Sequence, residues 1–294
     1  MTAGSVTART PAADRWFRTR PDSSSLDRPR LLARLLIDLA DLDDRIAFYE
    51  RLLGVPADLR MPIPDFGGLE LAAVGNLLLI ASERPFTPVQ RRTAYSLIVP
   101  SLTGQLRLLE RTGTEVLEPV EAIKPGSRAR VRYPDGSLAE LVEHRPQPGE
   151  RPSSRPGIAV REAMDTGVRL LARRAVPADG LDEAVRFYRT ALETEPEAGA
   201  PGGTAIVGNL LLTTAAATDA GPIAFTLLAP SPEHVAELAG TAQTEAAQTG
   251  TTQAEAAQAG GGAPGGPALL TLPYGTRAEI RTPPRRLPAQ GTDA

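Results

Sequence analysis

The chain of 294 residues has no cysteine and only two histidines, His144 and His234. Without thiols there are no disulfides, thiolate metal sites, iron–sulfur clusters or cysteine nucleophiles. A mechanism that needs two convergent histidines has this one pair to draw on. Lysine is nearly missing as well: Lys124 is the single lysine among 32 basic residues. With 28 Pro and 27 Gly, this bias reads as GC-rich coding rather than as chemistry. No apolar run approaches the roughly 18–20 residues that cross a bilayer, so no membrane partner is expected. A formal net charge of -3 argues against nucleic acid as a partner. Residues 1–30 carry no apolar signal-type core, so the expected compartment is the cytoplasm. There is no P-loop, no GxGxxG after a strand and no GxSxG elbow.

What remains is enough chain for two domains of about 100–150 residues. Residues 1–30 are polar and Arg-rich and are expected to form a disordered arm, with Trp16 and Phe17 its only bulky residues. From Leu31 the run LLARLLIDLA reads as a buried strand. It leads into DDRIAFYERLLG, a helix with one apolar face, stopped by Gly54 and Pro56. Asp41 is the expected helix cap. RMPI, LELAAV and NLLLIAS follow as strands. The same order then restarts with TAYSLIVP, the helix SLTGQLRLLERTG capped by Ser101, and the strands TEVLEPVEAI, SRARVRY and SLAELVEH. Arg91-Arg92 reads as a solvated loop. Residues 31–145 thus hold strand–helix–strand–strand–strand twice, and residues 146–167 form a Pro- and Gly-rich linker.

Beyond the linker the first half recurs in weaker form. Val74-Gly75-Asn76-Leu77-Leu78-Leu79 returns as Val207-Gly208-Asn209-Leu210-Leu211-Leu212. Phe48-Tyr49 returns as Phe187-Tyr188, and Glu140 as Glu279, both at an offset of 139. Three matches in one order at nearly constant offset identify a tandem duplication. The second copy, 168–283, is reduced. One stretch is too short for two strands, and an Ala/Gln/Thr/Gly insert at 241–267 is expected to be disordered. A disordered tail at 284–294 closes the chain.

LLIDLADLDDRIAFYERLLG resembles the opening strand and helix of the vicinal oxygen chelate superfamily, and YPDGSLAELVEH resembles its closing hairpin. That superfamily includes glyoxalase I, bleomycin- and fosfomycin-resistance proteins and extradiol dioxygenases. The resemblance implies an α+β fold: tandem glyoxalase-like domains built from βαβββ modules, with curled mixed sheets around a cavity. Metal-using members place ligands on the first and last strands of each module. By that resemblance, the first-strand position here is Arg34, which would repel a cation. The equivalent position of the second module, counted from Val99 and Leu102, falls at Ala94. The position near Leu78 is apolar, and Glu140 is retained. In the second copy the corresponding positions fall around Leu171–Arg173 and near Pro222, with Glu279 retained. A lone carboxylate does not hold zinc, iron or manganese. His144 lies four residues beyond Glu140, roughly 13 Å along a strand, too far to share an ion. Both histidines are read as surface residues.

These residues lead to an expected protein without metal or other cofactor. It would bind a small molecule in the domain cavity, in the manner of a sequestration or resistance protein. Arg34, Tyr95, Glu140 and Glu279 are the candidate ligand-binding residues, and Arg34–Glu140 a candidate ion pair. Leu36, Leu69, Leu71, Leu77, Leu79 and Leu97 are candidates for lining or core. A metal-dependent glyoxalase-like lyase or dioxygenase is one alternative. A metal-free isomerase or cyclase with Glu140 as catalytic general base is another. A third is a decayed copy with a structural role. The expected assembly is a monomer or homodimer.

Overall fold

The computed structural model describes residues 22–63, 68–123, 126–146, 166–198, 202–214, 223–240 and 267–283. The expectations for residues 1–21, including Trp16 and Phe17, and for most of the linker, the insert and the tail, lie outside them.

The first copy follows the expected order. Strand β1 (Arg30–Asp38) leads through a 3-10 turn (Leu39–Asp41) into helix α1 (Leu42–Leu53). Strands β2 (Ala57–Ile63), β3 (Leu69–Val74) and β4 (Leu77–Ser82) complete the first module. A short helix α2 (Pro88–Arg92) precedes the second: β5 (Thr93–Ile98), α3 (Leu102–Glu110), β6 (Glu115–Ile123), β7 (Gly126–Arg132) and β8 (Leu138–Glu143). The eight strands form one sheet in the order β2-β3-β4-β1-β5-β8-β7-β6. The modules are related by their register. Within each, the first and last strands run parallel, β1 beside β4 and β5 beside β8. The two modules join through antiparallel β1 and β5.

Local chemistry accounts for the boundaries. Gly54, with φ of 66°, ends α1 in the left-handed conformation that a Cβ disfavours. Ser101 caps α3 by accepting from the Gly104 N–H. Asp41, the expected cap of α1, makes no cap hydrogen bond; its carboxylate faces Arg45 one turn on, at 3.9 Å. Arg91 and Arg92 are exposed as expected, yet they lie on α2, which Thr87 and Gln90 close with a reciprocal capping box.

Two further corrections concern the arm and the histidines. Residues 22–30 are packed, not a loose arm. The Ser23 N–H donates to the His144 carbonyl and its hydroxyl to Val99 O, and Leu26 joins a buried apolar cluster. Arg30 is fully buried and pairs with Asp58 at 2.7 Å. This strap covers the end of β8, so His144 is buried rather than on the surface. His234 is half-buried, its Nε2 lying 2.8 Å from the Thr166 carbonyl oxygen.

The second copy runs β9 (Arg169–Ala175), α4 (Leu181–Ala191), β10 (Thr204–Val207), β11 (Leu210–Thr213), β12 (Phe225–Leu228), α5 (Pro232–Ala239), β13 (Ala268–Thr271) and β14 (Arg277–Arg281). Its sheet has six strands in the order β10-β11-β9-β12-β14-β13. Among the described residues each module lacks the counterpart of the outermost strand, β2 or β6.

The alternation of strands divides each sheet into two faces. Leu31, Ala33, Leu77, Leu79, Tyr95, Leu97, Ala139 and Leu141 face the helices and a core that both copies share. The copies meet in that core reciprocally. Tyr49 of α1 packs edge-on against Phe225 of β12, and Tyr188 of α4 packs edge-on against Tyr95 of β5. The hairpin turn of each copy docks on the helix of the other. Ser137 and Asp135 reach Tyr188, while Thr276 accepts from Arg45, which also lies 4.0 Å over the Tyr274 ring.

Candidate functional site

The other face of the eight-stranded sheet curls around an open cavity. Its walls are aliphatic. Leu59, Met61 and Ile63 come from β2, Leu69 and Leu71 from β3, Leu78 and Ile80 from β4, and Leu32, Ile98 and Val142 from the central strands. Polar groups converge at one place only. Arg34, Ser96, Arg128, Arg130 and Glu140 lie on adjacent strands on the cavity face, and Gln90 and His144 also line it.

The register brings that cluster together. Ser96 is directly beside Glu140 across β5 and β8, and Glu140 is directly beside Arg130 across β8 and β7. Glu140 Oε1 accepts from Arg128 Nη1 at 3.1 Å and Arg130 Nη2 at 3.5 Å. Oε2 accepts from Ser96 Oγ at 3.4 Å. Arg34 Nη1 lies 3.9 Å from Oε2. The expected Arg34–Glu140 pair therefore exists only as a charge contact, because two other guanidiniums hold the carboxylate. Those two are also met from the solvent side. Arg128 pairs with Glu121 at 2.9 Å, and Arg130 with Glu118. Burial holds the Arg34 guanidinium below its ordinary pKa; Glu140 opposes this and Arg130 adds to it. Arginine stays protonated all the same.

The other candidates divide. Leu69 and Leu71 line the cavity, and Leu36 packs beside it. Leu77, Leu79 and Leu97 belong to the shared core. So does Tyr95. It is buried against Tyr188 and does not reach the cavity, because alternation sets it on the face opposite Ser96 and Ile98. Ala94 packs on the core side, where the register of β5 shifts between Thr93 and Tyr95. The residue that β5 sets at the position equivalent to Arg34 is Ser96, as the matching β1–β4 and β5–β8 registers show.

The second copy repeats the cluster in reduced form. Arg173, Leu211, Thr226 and Glu279 take the places of Arg34, Leu78, Ser96 and Glu140. Thr226 thus replaces the expected position near Pro222, a residue outside the described set. Glu279 is buried, with Arg173 Nε at 3.4 Å, Thr226 Oγ1 at 3.4 Å and Arg281 also in contact. It is an internal counter-ion there.

Paired βαβββ modules, two to a sheet and repeated along the chain, are the fold of the vicinal oxygen chelate superfamily, and this chain has that fold. No protein-family model and no curated protein matches it. Among solved structures the chain is similar to an uncharacterized protein from Methanosarcina mazei. The two are 35% identical over 40% of this chain and 92% of that one, with a TM-score of 0.36. It is also similar to the Mn(II)-bound glyoxalase from Novosphingobium aromaticivorans, at 13% identity over 86% of this chain and 81% of that one, TM-score 0.46. The 2,3-dioxygenase LapB from Pseudomonas sp. KL28 is 17% identical over 89% of this chain and 94% of that one, TM-score 0.46.

The metal centre that the resemblance implies does not fit this cavity. The four convergent positions carry Arg34, Leu78, Ser96 and Glu140. They offer one carboxylate and one hydroxyl beside a fixed cation. Among the described residues no group of three or more His, Asp or Glu could hold a metal ion.

The cluster instead makes Glu140 a shared counter-ion. Glu140→Gln leaves the buried Arg130 without its inner carboxylate. We expect it to lower the unfolding free energy by about 2 kcal/mol, read by urea denaturation. A variant as stable as the parent would show that Glu118 and Glu121 alone neutralise the arginines.

Proposed function

We propose that the chain is a metal-independent small-molecule-binding protein of the glyoxalase/bleomycin-resistance type, with its site in the first-domain cavity. The observation that carries this reading is the chemistry of the four convergent positions. A chamber with aliphatic walls ends in an arginine–glutamate–serine cluster where a metal centre would need donors. Glu140 is a counter-ion in this reading, not a general base, since both its oxygens already face cationic or hydroxyl donors. Arg34 and Glu140 act in binding; Tyr95 and Glu279 support the fold.

Elemental analysis tests it. Protein incubated with manganese, iron(II) or zinc and then desalted is expected to retain well under one equivalent. EDTA is expected to leave the melting temperature unchanged, because a bound metal would stabilise the native state by mass action. Near-stoichiometric retention together with an EDTA-sensitive melting temperature would overturn the reading in favour of a metal-dependent lyase or dioxygenase.

A further inference from the structure

We propose that the ligand of this cavity is an amphipathic anion, an apolar body bearing one carboxylate-like group that docks on Arg34. The inference rests on the cavity-binding reading and adds to it the charge of the ligand and the residue that reads it.

The argument starts from unused donors. The Arg34 side chain is 5% exposed, and its Nε and Nη1 are buried without a hydrogen-bond partner. Buried N–H groups without acceptors are rare in folded proteins, because they forfeit hydration and gain nothing in return. The nearest carboxylate, Glu140, is 3.9 Å away, beyond hydrogen-bonding range.

The chain carries its own comparison. In the second copy, the residue beside Glu279 on the neighbouring strand is Leu269, at the place of Arg130. There Arg173 Nε lies 3.4 Å from one oxygen of Glu279, closer than Arg34 stands to Glu140, and Arg281 holds the other oxygen. In the first copy Arg128 and Arg130 draw Glu140 toward β7, and Arg34 keeps donors to spare. The charged groups lining the cavity are three arginines and one glutamate. Glu140, Glu118 and Glu121 match the three arginines in number, so what draws an anion is the pair of unfilled Arg34 donors in a low-dielectric setting, where a charge-assisted hydrogen bond is strong. The remaining wall is aliphatic, so the rest of the ligand is apolar.

Matched probes separate charge from shape. We would titrate the protein at pH 8 by calorimetry with decanoate and 1-decanol, and with 2-naphthoate and 2-naphthylmethanol. The parent is expected to bind at least one carboxylate about tenfold more tightly than its alcohol. Arg34→Met is expected to lose that preference while keeping alcohol affinity within about threefold of the parent. Arg34→Gln, which keeps polarity without charge, repeats the test should the Met variant fold poorly. Equal affinity for acid and alcohol in the parent would overturn the inference and leave the cavity reading standing. So would a preference that survives both substitutions. Failure of all four probes to bind would remove the cavity reading and the inference together.

Discussion

Asp135→Ala is expected to lower the unfolding free energy by about 3–5 kcal/mol and to separate one cooperative transition into two. Asp135 sits in the turn between β7 and β8, yet it serves the other copy. Oδ2 accepts from the Tyr188 hydroxyl at 2.8 Å and from Arg174 Nε at 3.0 Å. Oδ1 accepts from the Ser137 N–H at 2.9 Å and its hydroxyl at 2.6 Å. Both carboxylate oxygens are thus used twice, and the group is 15% exposed. Removing it strands Arg174 and loosens Tyr188 at once. Since those residues belong to the second copy, the loss falls on the joint between copies, and the weaker six-stranded half is expected to melt first. Asp135→Asn keeps an acceptor and is expected to lose about 1–2 kcal/mol. A single transition at unchanged denaturant midpoint in the alanine variant would show that apolar packing alone joins the copies.

Alkali is expected to unfold the protein steeply above pH 10. Four of the five tyrosines, Tyr49, Tyr95, Tyr133 and Tyr188, have phenol pKa values raised above the ordinary one. Burial is the main cause in each, and Asp135 adds to it for the last three. The unfolded chain loses these protons near pH 10, whereas the folded chain retains them. Above pH 10 the native state therefore binds more protons, and stability falls as pH rises. Below pH 10 these groups contribute no pH dependence. With all four ionised only on unfolding, the slope reaches about 5 kcal/mol per pH unit, enough to exhaust the stability of an ordinary domain within two units or so. Tyrosinate absorbance near 295 nm and circular dichroism, followed together, check this. Ionisation of these four phenols without loss of secondary structure would contradict it.

Much of the fold was legible because glycine, proline and alternation punctuate it plainly. The module order, the duplication and the cavity-facing placement of Arg34 and Glu140 follow from Phe48-Tyr49, Pro134-Asp135-Gly136 and their repeats. Ser96 was not legible. Arg34 stands eight residues before Leu42, and the same spacing counted back from Leu102 lands on Ala94. The β5–α3 connection lacks a counterpart of the Leu39–Asp41 turn and is two residues shorter, so the equivalent residue is Ser96. Arg128 and Arg130 were readable in principle. SRARVRY alternates, and counting outward from the hairpin turn pairs Arg130 with Glu140. What no spacing discloses is the competition among three guanidiniums for one carboxylate, which is settled by side-chain reach. The burial of His144 was equally hidden, since it depends on a strap more than a hundred residues earlier in the chain.

The contacts between Tyr49 and Phe225 and between Tyr188 and Tyr95 are one contact made twice, as across a two-fold axis. This is an isologous dimer interface written into a single polypeptide. Covalent connection turns a concentration-dependent association into an intramolecular one, so the partner is always present at high effective concentration. The second copy then has one obligation, to present its docking surface. Among the described residues the strands it lacks are counterparts of β2 and β6, which end the first sheet farthest from its β1–β5 seam, while Phe187, Tyr188, Phe225 and Thr276 at the axis are kept. Half of the molecule has become a permanent, covalently held subunit for the half that holds the cavity.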